Sequence, residues 1–357
     1  MDSAVFFINL FLFALTLTNF LLIRKPKDST AVSVSVDVLI PVRNEEENIP
    51  ELITSLKSQE SLEHVRFIFI DDSSTDRTSE LIQTKSKDDS RFTLISAAEL
   101  PSGWLGKPWA LSQGFAASSG EILVTLDADV RLKPDALVRS INLLNTRGLD
   151  FISPYPRQIA ISFGERLIQP LLQWSWLSTV PLFIAERSTR KSLAVANGQF
   201  FLVKRSALSR ISGFERISHQ VIDDIELARA LLASGFHGCV VDGSQIASTR
   251  MYDSFTAIKS GYGKSLWKAF GSLPGAMIAT LFLGFTSIYP LYLTMQFNPL
   301  GVLALELIIG TRLLAAVGSR GRIRDAFLHP LSIAVLIYLI GYSFRNRKTV
   351  EWKGRTL

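Results

Sequence analysis

Asp127 and Asp129 close the segment LVTLDADV (123–130), an apolar run of strand type that ends in two acids separated by one small residue. Residues two apart in an extended chain point to the same side, so both carboxylates converge on one place. Carboxylates that close repel unless a cation or a proton lies between them. A solvated turn also explains the pair, because Asp is common at strand ends. Other acids and bases stand in comparable positions. Asp71 and Asp72 follow VRFIFI, Asp223 and Asp224 lie in VIDDIELA, Lys107 lies in GKPW, and Arg43 and Glu45 follow SVSVDVLIPV.

The elements that must position these groups alternate in kind. SVSVDVLIPV (33–42) has strand character, and NEEENIPELITSLKSQ then begins a helix with Asn44 as N-cap and acids in the first turn. VRFIFI and SELIQTKSK repeat the scheme, FTLISA (92–97) precedes a helix led in by PSGWLGKPWALSQGFAAS, and EILVTLDADV supplies a fourth strand. Such alternation predicts an α/β fold with a parallel, doubly wound sheet, whose ligands bind beyond the carboxyl ends of the strands. The polar clusters after Val42, Ile70 and Leu126 all fall on that edge. ELARALLASG makes a further helix that ends at Gly235, and acids near its start suit the helix dipole whatever else they do.

Apolar residues make up 47% of the 357 and are unevenly spread. Ala4–Ile23 is uncharged and of spanning length, and Arg24, Lys25 and Lys27 follow it, which favours a retained anchor over a signal peptide. By the positive-inside tendency the N-terminus lies outside and the rest of the catalytic region is cytoplasmic, on a multi-pass protein of the plasma membrane. Segments 274–296 and 299–318 are each able to span. Segment 326–344, between Arg320, Arg322, Arg324 and Arg345, Arg347, Lys348, either crosses against that tendency or is re-entrant. Arg312 and Glu306 suggest packing inside a bundle. Segment 167–185 reads as interfacial, resting on the bilayer, with a buried helix pair as the other reading. The expected division is an anchor and linker at 1–31, a catalytic domain at 32–265, and membrane helices with a basic tail at 266–357.

A net charge of +6, clustered beside apolar segments, suits an anionic membrane leaflet, and no basic stripe interleaved with aromatics points to nucleic acid. The single cysteine, Cys239, forms no internal disulfide, and His64, His219, His237 and His329 lack metal-ligand spacing.

IPVRNEEENI, DDSSTDRT, GWLGKPWAL, LDADV, NGQF, VIDDIELA, RMY and WKGR, in that order, resemble a family 2 glycosyltransferase of the GT-A fold, and within it the membrane-anchored branch associated with carotenoid and hopanoid biosynthesis. The resemblance implies a hexosyltransferase with a Rossmann-like, mostly parallel sheet. Its donor would be a nucleotide-diphosphate sugar, of UDP type, and its acceptor a lipid at the membrane. The cofactor implied is Mg2+ or Mn2+, which take oxygen ligands and share coordination between one or two carboxylates, water and phosphate. Asp129, with Asp127 beside it, would hold that ion. Pro41, Arg43, Glu45 and Asp72 would hold the nucleoside, and Asp127 the ribose or sugar hydroxyls. Lys107 would approach the phosphates or the sugar, Arg250 would neutralise the departing diphosphate, and Asn197, Gly198 and Gln199 would line the acceptor side. Asp224 would be the general base and Asp223 its orienting neighbour, giving a single displacement with inversion. Loop capping remains the plainer reading of Asp71, Asp72 and Asp76. Processive polysaccharide synthases carry Gln-x-x-Arg-Trp where this chain has QIASTRMY, with Met251 after Arg250, which speaks against a processive enzyme. A polyprenyl-phosphate glycosyltransferase is the other alternative.

Overall fold

The computed structural model describes residues 1–347 and the backbone at 351–352 and 355–356, so Lys348 and the interior of WKGR lie outside the described residues. The chain forms two compact units. Arg24–Arg157 with Ile184–Thr249 make an α/β unit; Met1–Ile23, Gln158–Phe183 and Arg250–Leu357 make a helical one. This differs from the expected 32–265 in three places, the first being that residues 24–31 belong to the α/β unit. Residues 158–183 leave the α/β unit, and the helix Phe255–Ala269 joins the helical unit.

The α/β unit is built on one seven-stranded sheet. Its strands in chain order are β1 (Val36–Val42), β2 (Val65–Asp71), β3 (Phe92–Ser96), β4 (Ile122–Leu126), β6 (Phe151–Tyr155), β7 (Phe200–Lys204) and β8 (Gly238–Asp242). β5 (Val130–Leu132) and β9 (Ala247–Thr249) pair antiparallel outside it. The sheet runs β3-β2-β1-β4-β7-β6-β8. β1 to β4 are parallel and β6 is parallel to β8, but β7 runs antiparallel to both β4 and β6. The sheet is therefore mostly parallel rather than wholly so. Near-continuous apolar runs are what a sheet covered on both faces requires, and β1, β2 and β4 are buried almost throughout. Val38, Ile40, Phe67, Phe69, Val124 and Leu126 fill one face, and Leu39, Ile68, Ile70 and Leu123 the other.

The chain runs outward from β1 through β2 to β3, then returns to place β4 on β1's other side. That reversal is the switch point at which ligand crevices open. The β1–β4 ladder stops at Leu39↔Thr125, so Pro41, which has no N–H to donate, lies beyond it without breaking it.

The expected helix start at Asn44 moves to Ile49. Asn44 has φ 52°, and the N-cap of Ile49–Lys57 is Asn48. The physical reason is that Asn44 joins two loops: its Oδ1 accepts from the Thr75 N–H at 2.8 Å and its own N–H donates to Ser74 Oγ at 3.1 Å.

Among the described residues of the helical unit, four helices are long and apolar enough to cross a membrane: Asp2–Leu22, Leu273–Met295, Pro299–Gly318 and Ile323–Asn346. Asp2–Leu22 buries Val5, Asn9, Leu12, Thr16 and Asn19 on one stripe and exposes Phe7, Phe11, Leu21 and Leu22. Polar groups inward and apolar groups outward is the pattern of a helix bundle solvated by lipid. Asn9 Nδ2 donates to the carbonyls of Thr286 and Ala304, both at 2.9 Å, tying three segments together. Arg312 is buried, whereas Glu306, expected to pack inside the bundle, is exposed on the same helix.

Segment 167–185 has two faces: Leu172, Phe183 and Ile184 are exposed, while the opposite side is buried. Helix Phe163–Thr179 buries Ile168, Gln169, Gln173, Trp174 and Leu177, and Trp174 donates to Thr311 Oγ1 at 2.7 Å. Asn19 Nδ2 donates to the Leu177 and Val180 carbonyls at 2.8 and 2.7 Å.

Candidate active site at the carboxyl edge of the sheet

Asp127 follows β4 directly, and its N–H donates to the Gln199 carbonyl at 3.0 Å. Asp129 sits between β4 and β5, and Thr249, at the end of β9, donates its hydroxyl to Asp129 Oδ2 at 2.9 Å. Lys107, in the first turn of the helix Gly106–Ala117, reaches back to this edge. Its Nζ lies 2.8 Å from Asp127 Oδ1 and 3.6 Å from Asp223 Oδ2. Asp223 and Asp224 begin the helix Asp223–Ala233. Asp224 Oδ2 accepts from the Gly198 N–H at 2.7 Å, and its Oδ1 accepts from the Ile225 N–H at 2.8 Å. Beneath them is a small pocket of about 230 Å3, lined by Leu111, Thr125, Phe201 and the two acids among others.

The electrostatics follow from crowding. Burial raises the Asp129 carboxyl to about 6, helped by the Asp127 and Glu45 charges and opposed by the Thr249 hydroxyl and Lys107. Burial likewise raises Asp224 to about 6, with Asp223 adding to it while Lys107 and the N–H groups of Ile225 and Gly198 resist. Asp127 is raised too, chiefly by burial against the pull of Lys107. Burial works to discharge Lys107, but Asp127 and Asp223 outweigh it and keep the ammonium protonated. Even with that ammonium in place, the rim carries more negative charge than its surroundings compensate.

On the β1–β2 side, the Asp72 N–H donates to the Val42 carbonyl at 2.9 Å. Arg43 Nη1 donates to the Asp72 carbonyl at 2.5 Å and stands 3.9 Å from its carboxylate. The Glu45 N–H donates to Thr78 Oγ1 at 2.8 Å, and Glu45 Oε2 accepts from Asn48 Nδ2 at 2.8 Å. Asp76 accepts from the Glu46 and Thr78 N–H groups, and Asp71 from the Ser74 N–H and the Ser79 hydroxyl, so these two cap the loop. Pro41, Arg43, Glu45 and Asp72 thus stand together at the ends of β1 and β2.

NGQF is more a strut than a lining. Asn197 and Gln199 are buried, and Asn197 Nδ2 donates to Gln199 Oε1 at 3.1 Å. Gln199 Nε2 reaches Thr249 Oγ1 at 3.4 Å, and the Asn197 N–H donates to Ser153 Oγ at 2.8 Å. Gly198 gives its N–H to the Asp224 carboxylate, and the Gln199 carbonyl accepts from the Asp127 N–H. Arg250 belongs to the helical unit, where its Nε and Nη2 donate to Glu165 at 3.3 and 3.2 Å. Burial would raise Glu165, but Arg250, Ser162 and the N–H groups of Ile161 and Ser162 bring it down to about 2. Thr249 and Ser153 carry no local sequence signal, and the capping box Ser162–Glu165 marks a helix start but not the pairing with Arg250. Each becomes visible only through a partner distant in the chain.

Residues 37–212 match Glycosyl transferase family 2. These residues are a family 2 glycosyltransferase domain. Glycosyl transfer is the class of reaction it performs, and the fold is of GT-A type. Over 349 residues this glycosyltransferase is 28% identical to the 4,4'-diaponeurosporenoate glycosyltransferase of Staphylococcus haemolyticus, covering 93% of this chain and 90% of that one. It is 24% identical over 339 residues to the Staphylococcus aureus protein of the same name, covering 90% and 88%. Among solved structures it is similar to a mannosyltransferase from Pyrobaculum calidifontis in complex with GDP-Man and Mn2+. The TM-score is 0.55 at 17% identity, over 96% of this chain and 98% of that one. At that identity the likeness speaks for the fold.

Proposed function

We propose that this glycosyltransferase is a membrane-bound, inverting enzyme that moves a hexose from a nucleotide-diphosphate sugar, of UDP type, to an isoprenoid lipid acceptor of the carotenoid kind. The observation that carries the reading is the gathering of Asp127, Asp129, Asp223 and Asp224 around Lys107 at one sheet edge. The relatives' printed name supports the acceptor class. The four outward-apolar helices support delivery from a bilayer.

Among the described residues, no group of three or more His, Cys, Asp or Glu is arranged to hold a metal unaided. Asp127 and Asp129 nevertheless fit a Mg2+ or Mn2+ ion that arrives with a diphosphate. They are hard oxygen donors, buried and carrying like charges side by side, which is what raises both carboxyls and what a cation would relieve. Such an ion, when bound, would neutralise the leaving diphosphate. Lys107 restrains Asp127 and faces the phosphates. Asp72, Arg43 and Glu45 hold the nucleoside at the β1–β2 ends. Asp224 takes the proton from the acceptor's hydroxyl as that oxygen forms a bond to the anomeric carbon; an acceptor carboxylate, already ionised, would attack without giving up a proton. The bond from that carbon to the diphosphate oxygen breaks, and the nucleoside diphosphate leaves with the electron pair. Asp223 orients Lys107 and its neighbour. Arg24, Lys25 and Lys27 after the first apolar helix support a cytoplasmic α/β unit.

Calorimetric titration with UDP tests the site. The wild-type protein should bind UDP about tenfold more tightly with Mn2+ present, and Asp129→Ala should lose that difference. An unchanged Mn2+ effect in the variant removes Asp129 from the reading.

A further inference from the structure

The helical unit contains a polar cleft that the glycosyl-transfer reading does not use. It is a narrow cleft partly open to solvent, and Pro170, Gln173, Arg312, Ser319, Arg322 and Asp325 line it. Arg312 is 2% exposed although it belongs to the apolar helix Pro299–Gly318. Its Nη1 donates to the Pro170 carbonyl at 2.9 Å, and its buried Nε has no hydrogen-bond partner among the described residues. Asp325 is the acid among the lining residues, and it is already engaged: Arg166 Nε donates to its two oxygens at 3.0 and 3.2 Å. Two guanidinium groups therefore depend on one carboxylate, and Arg322 adds a third cation at the exposed mouth.

A buried cation with an unused donor costs several kcal/mol unless something completes it. Water satisfies the donor but not the charge. A phosphate or carboxylate does both, and the guanidinium fork matches its oxygens. The position of the cleft narrows the source. Its mouth is formed by Ser319, Gly321 and Arg322, in the turn between Pro299–Gly318 and Ile323–Asn346. If both helices cross the bilayer, that turn lies at headgroup depth, where anionic lipids concentrate. We propose that this cleft binds the phosphate or carboxylate head of an anionic lipid, with Arg312 at its floor and Arg322 at its rim.

The test uses the purified full-length protein in an uncharged detergent. It is titrated separately with phosphatidylglycerol, phosphatidylcholine and inorganic phosphate, and native mass spectrometry counts retained lipid while Tm is followed. Phosphatidylglycerol should be retained and should raise Tm, while phosphatidylcholine should do neither. Arg322→Ala should weaken phosphatidylglycerol binding about tenfold, the loss expected for one charge-assisted contact. Arg312→Gln should abolish it. Because Arg322 is exposed, its variant keeps the test decisive even if Arg312→Gln does not fold. Equal retention of the two lipids, or phosphatidylglycerol affinity unchanged by Arg322→Ala, overturns the site. The full Tm rise from inorganic phosphate alone overturns the lipid as its source.

Discussion

Asp224 is held by two backbone donors yet remains harder to ionise than an ordinary aspartate, because burial and Asp223 act against them. A base with its carboxyl at about 6 is mostly ionised at neutral pH and still able to accept a proton. The rate should therefore fall on acidification through about pH 6, and a pH–rate profile checks it. Asp224→Asn should keep UDP binding while turnover drops by at least about a hundredfold; unaltered turnover rules out its role as base. The same crowding has a stability cost with a definite sign. The folded pKa is raised, so the folded chain binds the proton more tightly: the cost is absent below about 4, where the group is protonated in both states, and is complete once pH has risen through about 6. Gly198 supplies a second probe at this scale. An added Cβ there would stand 3.1 Å from Asp224 Cβ and 3.3 Å from Lys107 Nζ. Gly198→Ala should lower kcat about tenfold or more by displacing both groups, with little change in Tm. A rate equal to wild type shows that the acids tolerate the shift.

At the scale of elements, the rim depends on how β1 is fixed at its other end. Asp37 accepts from Arg66 Nε and Nη2, both at 2.7 Å, and from the Ser119 and Gly120 N–H groups, both at 2.6 Å. It thereby joins β1, β2 and the loop that enters β4, the three strands whose far ends carry Arg43, Asp72 and Asp127. Burial works to raise its carboxyl, but Arg66 and the two backbone donors hold it below the ordinary range. That stability is present above the ordinary aspartate pKa of about 4 and is lost as pH falls below it. Asp37→Ala should destabilise the fold by roughly 2–4 kcal/mol, read from denaturant unfolding of the wild type and variant. A change within about 0.5 kcal/mol means the network is not a staple of the sheet.

At the scale of the molecule, membrane association and the side on which the α/β unit lies are separate matters. Outward-facing Phe7, Phe11, Leu281 and Ile278 bear on the first; the basic residues after the first helix bear on the second. Cysteine labelling addresses orientation with little background. Cys239 is buried, and burial pushes its thiol up to about 12, so it is inert to maleimides. A cysteine placed at exposed Thr84 should label in inverted vesicles and stay protected in intact cells. Labelling from outside reverses the proposed topology.

The sequence by itself determined the family, the mostly parallel α/β architecture and the presence of apolar helices, because strand–helix alternation, ordered motifs and long uncharged runs are all local patterns. It singled out the acids for the same reason, since Asp127, Asp129, Asp223 and Asp224 each sit in a short recognisable string. Tertiary structure decided whatever depends on partners far apart in the chain. Thr249 holding Asp129, Gly198 capping Asp224, and Arg250 paired with Glu165 arise from contacts 120, 26 and 85 residues apart. It also decided which face of segment 167–185 is buried and that Glu306 faces out. Composition reports how apolar a helix is but not which of its faces finds a neighbour, and burial is set by that neighbour.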